Sequence, residues 1–224
     1  MPEAIARLRP FGIFGGMFDP IHFGHLRAAG ELLELVGLEA VAFVPAGDPP
    51  HRAAPLADAA TRLAMVRAAV ADDPRFLVDD RELRRRGPSY TVLTLQEVRA
   101  ERGEQPLVLI LGMDAYAGIE TWHRADELLS LAHIVVARRP RSAMPAGGLA
   151  ARLLERRRAP DVASLASSPA GFVHLCENTQ LDLSSSAVRA VVAAGRDPRY
   201  LMPEAARRII LGTGSYARPG ETKE

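Results

Sequence analysis

Short, almost wholly apolar runs alternate along this chain with longer segments of helical spacing, and that alternation restricts the fold more than any other feature. The runs are Phe11 to Phe14, Ala40 to Val44, Phe76 to Val78, Leu107 to Leu111, His133 to Ala137 and Phe172 to Leu175. A strand that is apolar on both sides has to be covered on both faces. Helices are predicted from about Gly24 to Val36, Thr61 to Ala71, Tyr90 to Arg102 and Ala125 to Leu131. Two more, Ser185 to Ala194 and Glu204 to Leu211, close the chain. Strand and helix in this order require right-handed crossovers and a parallel sheet. The expectation is an α/β, doubly wound single domain over residues 1–224, with a C-terminal helical segment.

A chain of 224 residues buries roughly 70% of its unfolded surface and needs no covalent or metal staple. Residues 138–168, with Pro140, Pro145, Gly147, Gly148 and a Ser/Pro-rich end, are expected to form a surface excursion with one helix, Ala150 to Arg157. The tail from Gly212 is expected to fray. The one cysteine, Cys176, sits in an apolar run and is expected to be a buried thiol, suited to a reducing compartment. No leader-like apolar core precedes Pro10, and no run approaches the roughly 18 apolar residues of a membrane span. A soluble, cytoplasmic protein is expected.

Charge narrows the chemistry. Lys and Arg number 28 against 27 Asp and Glu, and Lys223 is the only lysine. A general nucleic-acid or membrane-surface binder would carry a basic excess. Any bound anion must therefore be held locally, and by something other than lysine. The arginine runs at 84–86 and 156–158 are read as solvated faces.

The segment that offers such a hold is Gly15-Gly16-Met17-Phe18-Asp19-Pro20-Ile21-His22-Phe23-Gly24-His25. It follows the first apolar run and opens a helix. In an open parallel sheet, ligands collect at the carboxyl ends of strands. Adjacent glycines let backbone approach a ligand, and a helix N-terminus presents unpaired N–H groups and partial positive charge. His22 and His25 add donors, neutral or charged near pH 7. The simpler alternatives are a plain tight turn or a histidine metal site. Zinc lacks the further ligands it needs, and neither a P-loop nor a dinucleotide-binding glycine fingerprint is present.

These residues resemble the nucleotidyltransferases whose signature pairs two histidines around a glycine. The narrower resemblance is to bacterial nicotinate-nucleotide adenylyltransferases, which have a Rossmann-like fold. It extends through Val44-Pro45 with Pro49-Pro50-His51-Arg52, Gly87-Pro88-Ser89-Tyr90-Thr91 with Thr94-Leu95, and Leu111-Gly112-Met113-Asp114 with Trp122. It continues through Val136-Ala137-Arg138-Arg139-Pro140, Asp182 to Arg189, and Tyr200-Leu201 with Pro203. Met17 stands where threonine is common, Arg52 where lysine is common, and Ser186 where threonine is common.

The resemblance implies adenylyl transfer from ATP to nicotinate mononucleotide, giving deamido-NAD and pyrophosphate in NAD biosynthesis. It implies His22, His25 and Arg189 as catalytic groups, with His22 first for stabilising the transition state. The ATP site it implies is Gly15, Gly16, Phe18, His22, Gly24, His25, Ser185, Ser186 and Arg189. The mononucleotide site is His51, Tyr90, Thr91, Asp114, Trp122 and Arg139, with the helix start at Tyr90-Thr91 taking the carboxylate and Trp122 the pyridine ring. Mg2+ is expected to ride on the ATP phosphates with no protein ligand. No nucleic-acid or membrane partner is expected, and a homo-oligomer is compatible with this reading.

Each of these roles has a plainer counterpart in the residues. Ser184 to Ser186 read as a helix cap, Ser89 or Thr91 as another, Trp122 as core and Arg139 as a solvated charge. Competing functions are an enzyme preferring the amide mononucleotide, a pantetheine-phosphate adenylyltransferase, a non-catalytic nucleotide-binding regulator and an RNA-binding protein.

Overall fold

The computed structural model describes residues 8–47, 54–138, 143–179 and 181–217. The strands are β1 Phe11–Gly16, β2 Val41–Pro45, β3 Phe76–Val78, β4 Leu107–Gly112, β5 His133–Arg138 and β6 Val173–Glu177. The α-helices are α1 Phe23–Leu35, α2 Ala59–Val70, α3 Arg81–Arg84, α4 Thr91–Arg102, α5 Met113–Ala117, α6 Leu128–Leu131, α7 Gly148–Arg157, α8 Ser185–Ala193 and α9 Glu204–Thr213. The strands form one parallel sheet in the order β3-β2-β1-β4-β5-β6, a Rossmann-like arrangement whose order reverses between β1 and β4.

Alternation within the apolar runs builds two core layers. Val41 and Phe43, Val108 and Ile110, and Val135 and Ala137 face the layer holding α1, α2, α8 and α9 residues. Ala42 and Val44, Leu107, Leu109 and Leu111, and Ile134 and Val136 face the layer holding α4 and α6 residues. Successive side chains of a strand point to opposite faces, so runs without polar interruption are what a sheet covered twice demands.

All the expected strands form, with ends shifted by one or two residues; the short α3 and α5 were not anticipated. Cys176 is buried and free. Among the described residues, no helix is long and apolar enough to cross a membrane. Of the tail expected to fray from Gly212, residues 212–217 are placed and the rest lies outside the described residues. α9 continues to Thr213, Gly214 ends it in the left-handed region at φ 64°, and Tyr216 is buried. A glycine there closes the helix without Cβ strain and turns the chain back onto the core. The helix of the excursion forms as expected, over Gly148–Arg157, and Tyr116 Oη ties it down by donating to Ala150 O at 2.8 Å.

One half-buried arginine holds the loops at the amino ends of the strands. Arg99 of α4 donates to Leu131 O, Gly103 O, Gln105 O and Pro169 O, at 2.6–3.1 Å. Loss of a donor that serves several half-buried carbonyls is expensive. Arg99→Met is expected to lower unfolding free energy by about 2–4 kcal/mol. Urea midpoints will measure this; an unchanged midpoint would show that water replaces the guanidinium freely.

Candidate active site

The sheet opens where the site lies. β1 pairs with β2 as far as Gly16–Pro45, but with β4 only as far as Ile13–Leu109. β4 meanwhile pairs with β5 up to Gly112–Ala137. Past Ile13, therefore, the carboxyl ends of β1 and β4 separate, at the point where the strand order reverses. Gly15 and Gly16 belong to the strand and not to the turn, so the pair is not the plain tight turn that was the simpler alternative. The turn is Met17 to His22.

That turn is pinned from below. Arg62 of α2 is 1% exposed, and its Nη1 donates to Met17 O and Ala46 O, each at 2.9 Å. Burial lowers its pKa from the ordinary arginine value. Asp19 Oδ2 accepts from Leu56 N at 2.9 Å, and Oδ1 from Ala57 N at 3.1 Å. The Asp19–Pro20 peptide is cis, and Phe18 has φ 47° with its ring buried in the core. A Cβ at Gly16 would come within 2.9 Å of that ring, so Gly16 is dictated by Phe18, whereas Gly15 faces open space.

His22 and His25 form the cap of α1. His22 Nδ1 accepts from Gly24 N at 3.1 Å, and His25 Nδ1 accepts from His22 N at 3.3 Å. This is the reciprocal logic of a capping box, built from imidazoles in place of Ser and Glu. The rings stack with centroids 3.8 Å apart. With each Nδ1 committed as acceptor, the ring proton resides on Nε2, on the far side from the backbone. Desolvation lowers the pKa of His22 to about 4. Desolvation, then the neighbouring His22, lowers that of His25 to about 3. Both are thus neutral donors at pH 7, which narrows the expectation of neutral or charged donors to neutral ones. A Cβ at Gly24 would meet the His22 ring at 2.9 Å, so this glycine makes room for histidine as well as for any ligand.

The start of α8 docks on the same turn. Ser184 caps the helix through Ala187 N. Ser185 Oγ donates to Pro20 O at 2.9 Å, and Ser186 Oγ lies 2.9 Å from Ser184 Oγ. Arg189 Nη1 donates to Asp19 O at 2.6 Å. The structure therefore brings His22, Gly24, His25, Ser185 and Arg189 to one place.

Across the strand end lies a cavity of about 340 Å³. Gly15, Gly16, Tyr90, Thr91, Asp114 and Trp122 all line it. The N-cap residue of α4, Tyr90, gives the helix no side-chain cap, and Ser89, a candidate for that cap, instead accepts from Arg85. The first amides of such a helix are orphan donors with partial positive charge. Trp122 closes the 3-10 turn Ile119–Thr121 and rests against the second core layer while facing the cavity. His51 and Arg139 lie outside the described residues.

Three contributors were missed. Arg62 occupies a core-facing position of α2, three and four residues before Met65 and Val66; an arginine on an apolar stripe was the available signal. His123 lines the cavity and stacks on Tyr90 with centroids 4.3 Å apart. Arg85 was taken as part of a solvated run. Only 13% of its side chain is exposed, and it bonds Ser89, Thr94 and Glu97 beneath the cavity. Arg84 and Arg156 to Arg158 are exposed, as expected.

Known proteins resemble this chain in sequence and in fold. The cytidylyltransferase-like family pattern matches residues 13–191. The chain is 44% identical over 208 residues to a Methylococcus capsulatus protein named "Probable nicotinate-nucleotide adenylyltransferase", spanning 92% of this chain and 99% of that one. A Halorhodospira halophila protein of the same name is 46% identical over 214 residues, 95% and 97% of the two chains. The solved Plasmodium falciparum nicotinic acid mononucleotide adenylyltransferase complexed with NaAD shares the fold, with TM-score 0.70 at 15% identity over 93% of this chain and 97% of that one. A match of this extent, on a chain whose paired histidines cap the helix after β1, places the protein in the nicotinate-nucleotide adenylyltransferase family of cytidylyltransferase-like nucleotidyltransferases.

Proposed function

We propose that the chain transfers the adenylyl group of ATP to nicotinate mononucleotide, forming deamido-NAD and pyrophosphate. The observation that carries this reading is the meeting of two different sites at the end of β1. The capped turn of His22 and His25 lies on one side, and the aromatic-walled cavity on the other. A phosphate-holding turn suits the donor, and a cavity bounded by Trp122 and a helix start suits an acidic aromatic acceptor.

The reaction needs no protein nucleophile. A phosphate oxygen of the mononucleotide attacks the α-phosphorus of ATP. The bond from that phosphorus to the bridging oxygen breaks, and pyrophosphate leaves with the electron pair. The protein's work is positioning and stabilisation of charge on the α-phosphoryl oxygens. The Nε2–H groups of His22 and His25 supply neutral donors, and Arg189 supplies a charged fork once it exchanges Asp19 O for phosphate. Ser185 makes the corresponding exchange from Pro20 O, while Ser186 Oγ lies against the Ser184 hydroxyl. In the cavity, α4 offers its Thr91 amide to the nicotinate carboxylate, Trp122 its face to the pyridine, and Asp114 its carboxylate to ribose hydroxyls. His51 and Arg139 are assigned to the same nucleotide.

Mg2+ carried on the ATP phosphates would neutralise charge there. The acidic side chain of the turn is not a ready ligand, because Asp19 already accepts from Leu56 N, Ala57 N and Tyr216 Oη. Pyrophosphate release from MgATP with each acceptor in turn tests the assignment. Release with nicotinate mononucleotide is expected to exceed release with the amide by at least ten-fold in kcat/KM, about 1.4 kcal/mol of discrimination. Faster turnover of the amide would reverse the specificity, and no release with either would remove the activity.

A further inference from the structure

Tyr216 belongs to none of the motifs, and it follows the last helix, yet it reaches the phosphate turn. It is 4% exposed, and its hydroxyl donates to Asp19 Oδ1 at 2.6 Å. Asp19 is itself 5% exposed. Its carboxylate is faced by Leu56 N, Ala57 N, Tyr216 Oη and the guanidinium of Arg189, whose Nη1 lies 3.8 Å from Oδ2. Arg62 adds a further positive charge from beneath the turn. Arg189 therefore stands between two anionic claims, the Asp19 carboxylate and any phosphate that enters. Asp19 holds it twice, through its main-chain O at 2.6 Å and through the charge of its carboxylate; the second hold depends on the negative charge left on the carboxylate oxygens, and each hydrogen bond donated to them draws some away.

We propose that Tyr216 is a positioning residue for ATP. By donating to Asp19 it weakens the hold of that carboxylate on Arg189, and so keeps the guanidinium available to the phosphates. This rests on the reading of Arg189 as a phosphate ligand. Burial, then the bond to Asp19, pushes the Tyr216 phenol above its ordinary range, so the hydroxyl remains a donor throughout the neutral and mildly alkaline range.

Tyr216→Phe keeps the ring and removes only the donor. The expected result is a rise of about five-fold in the KM for ATP, with the KM for nicotinate mononucleotide within about two-fold of its starting value. Loss of packing alone would not choose between the substrates. In an Asp19→Asn background, where the competing charge is gone, Tyr216→Phe should change the KM for ATP by less than about two-fold. An unmoved or lowered KM for ATP, equal shifts in both KM values, or the same rise in the Asp19→Asn background would overturn the proposal. Calorimetric binding of ATP to the parent, Tyr216→Phe, Asp19→Asn and the double variant gives the same comparison without turnover. Failure of the enzymatic reading and failure of this one are thereby separable.

Discussion

His22→Asn should lower kcat by about two to three orders of magnitude while moving the KM for ATP by less than about three-fold, the size of effect found when one preorganised transition-state donor is removed. The choice of asparagine follows from the cap. His22 Nδ1 holds the amide of Gly24, and an asparagine oxygen serves equally well at an N-cap. What asparagine loses is the donor on the far side of the ring. His22→Ala removes donor and cap together and should cost about 1 kcal/mol of stability besides the rate. Steady-state kinetics and urea midpoints on both variants separate the roles. Equal losses in kcat and ATP affinity, or a rate near that of the parent, would refute the transition-state assignment for His22.

Acid should destabilise the protein well above the range where carboxylates protonate. The folded-state pKa values of His22 and His25, about 4 and about 3, lie below the unfolded value of 6.5. Between pH 6.5 and about 4 the unfolded chain therefore binds more protons than the folded one. Stability must fall as pH falls through that window, by up to about 1.4 kcal/mol per pH unit for each histidine. From pH 7 to pH 5 the loss expected from this pair is on the order of 3 kcal/mol. His133 and His174, also lowered by burial, act in the same direction. Urea titrations at pH 7, 6 and 5 measure the slope, and His22→Asn should remove a substantial part of it. A midpoint flat over this interval would mean that the histidines already carry charge in the folded protein.

Most of the fold was legible because it depends on periodicity. Runs such as Val41 to Val44 and Leu107 to Leu111 admit only a doubly covered strand, and all the expected strands appear. The phosphate turn was legible because its chemistry is concentrated in contiguous residues, Gly15 to His25. What escaped was what tertiary contact alone decides. Nothing local to Tyr216 announces that it will meet Asp19, 197 residues away. Arg85 sits in a run of three arginines, and only the packing of α3 against β2 and α4 sets it apart from Arg84 and Arg86. The protonation of the histidines was equally hidden, since it depends on desolvation and on which nitrogen each backbone amide claims. Even Gly24 had a second reason, the His22 ring, that spacing along the chain does not reveal.

The separation of the two core layers bears on how such a protein changes over time. Phe18 and Leu183, beside the phosphate turn, belong to one layer, while Tyr90 and Trp122, at the cavity wall, belong to the other. Donor handling and acceptor choice thus draw on different sets of packed side chains, with only the sheet in common. Distant sites of this kind combine nearly additively. A lineage can therefore alter the molecule it adenylylates by repacking one side of the sheet, and inherit the machinery for ATP unaltered from the other.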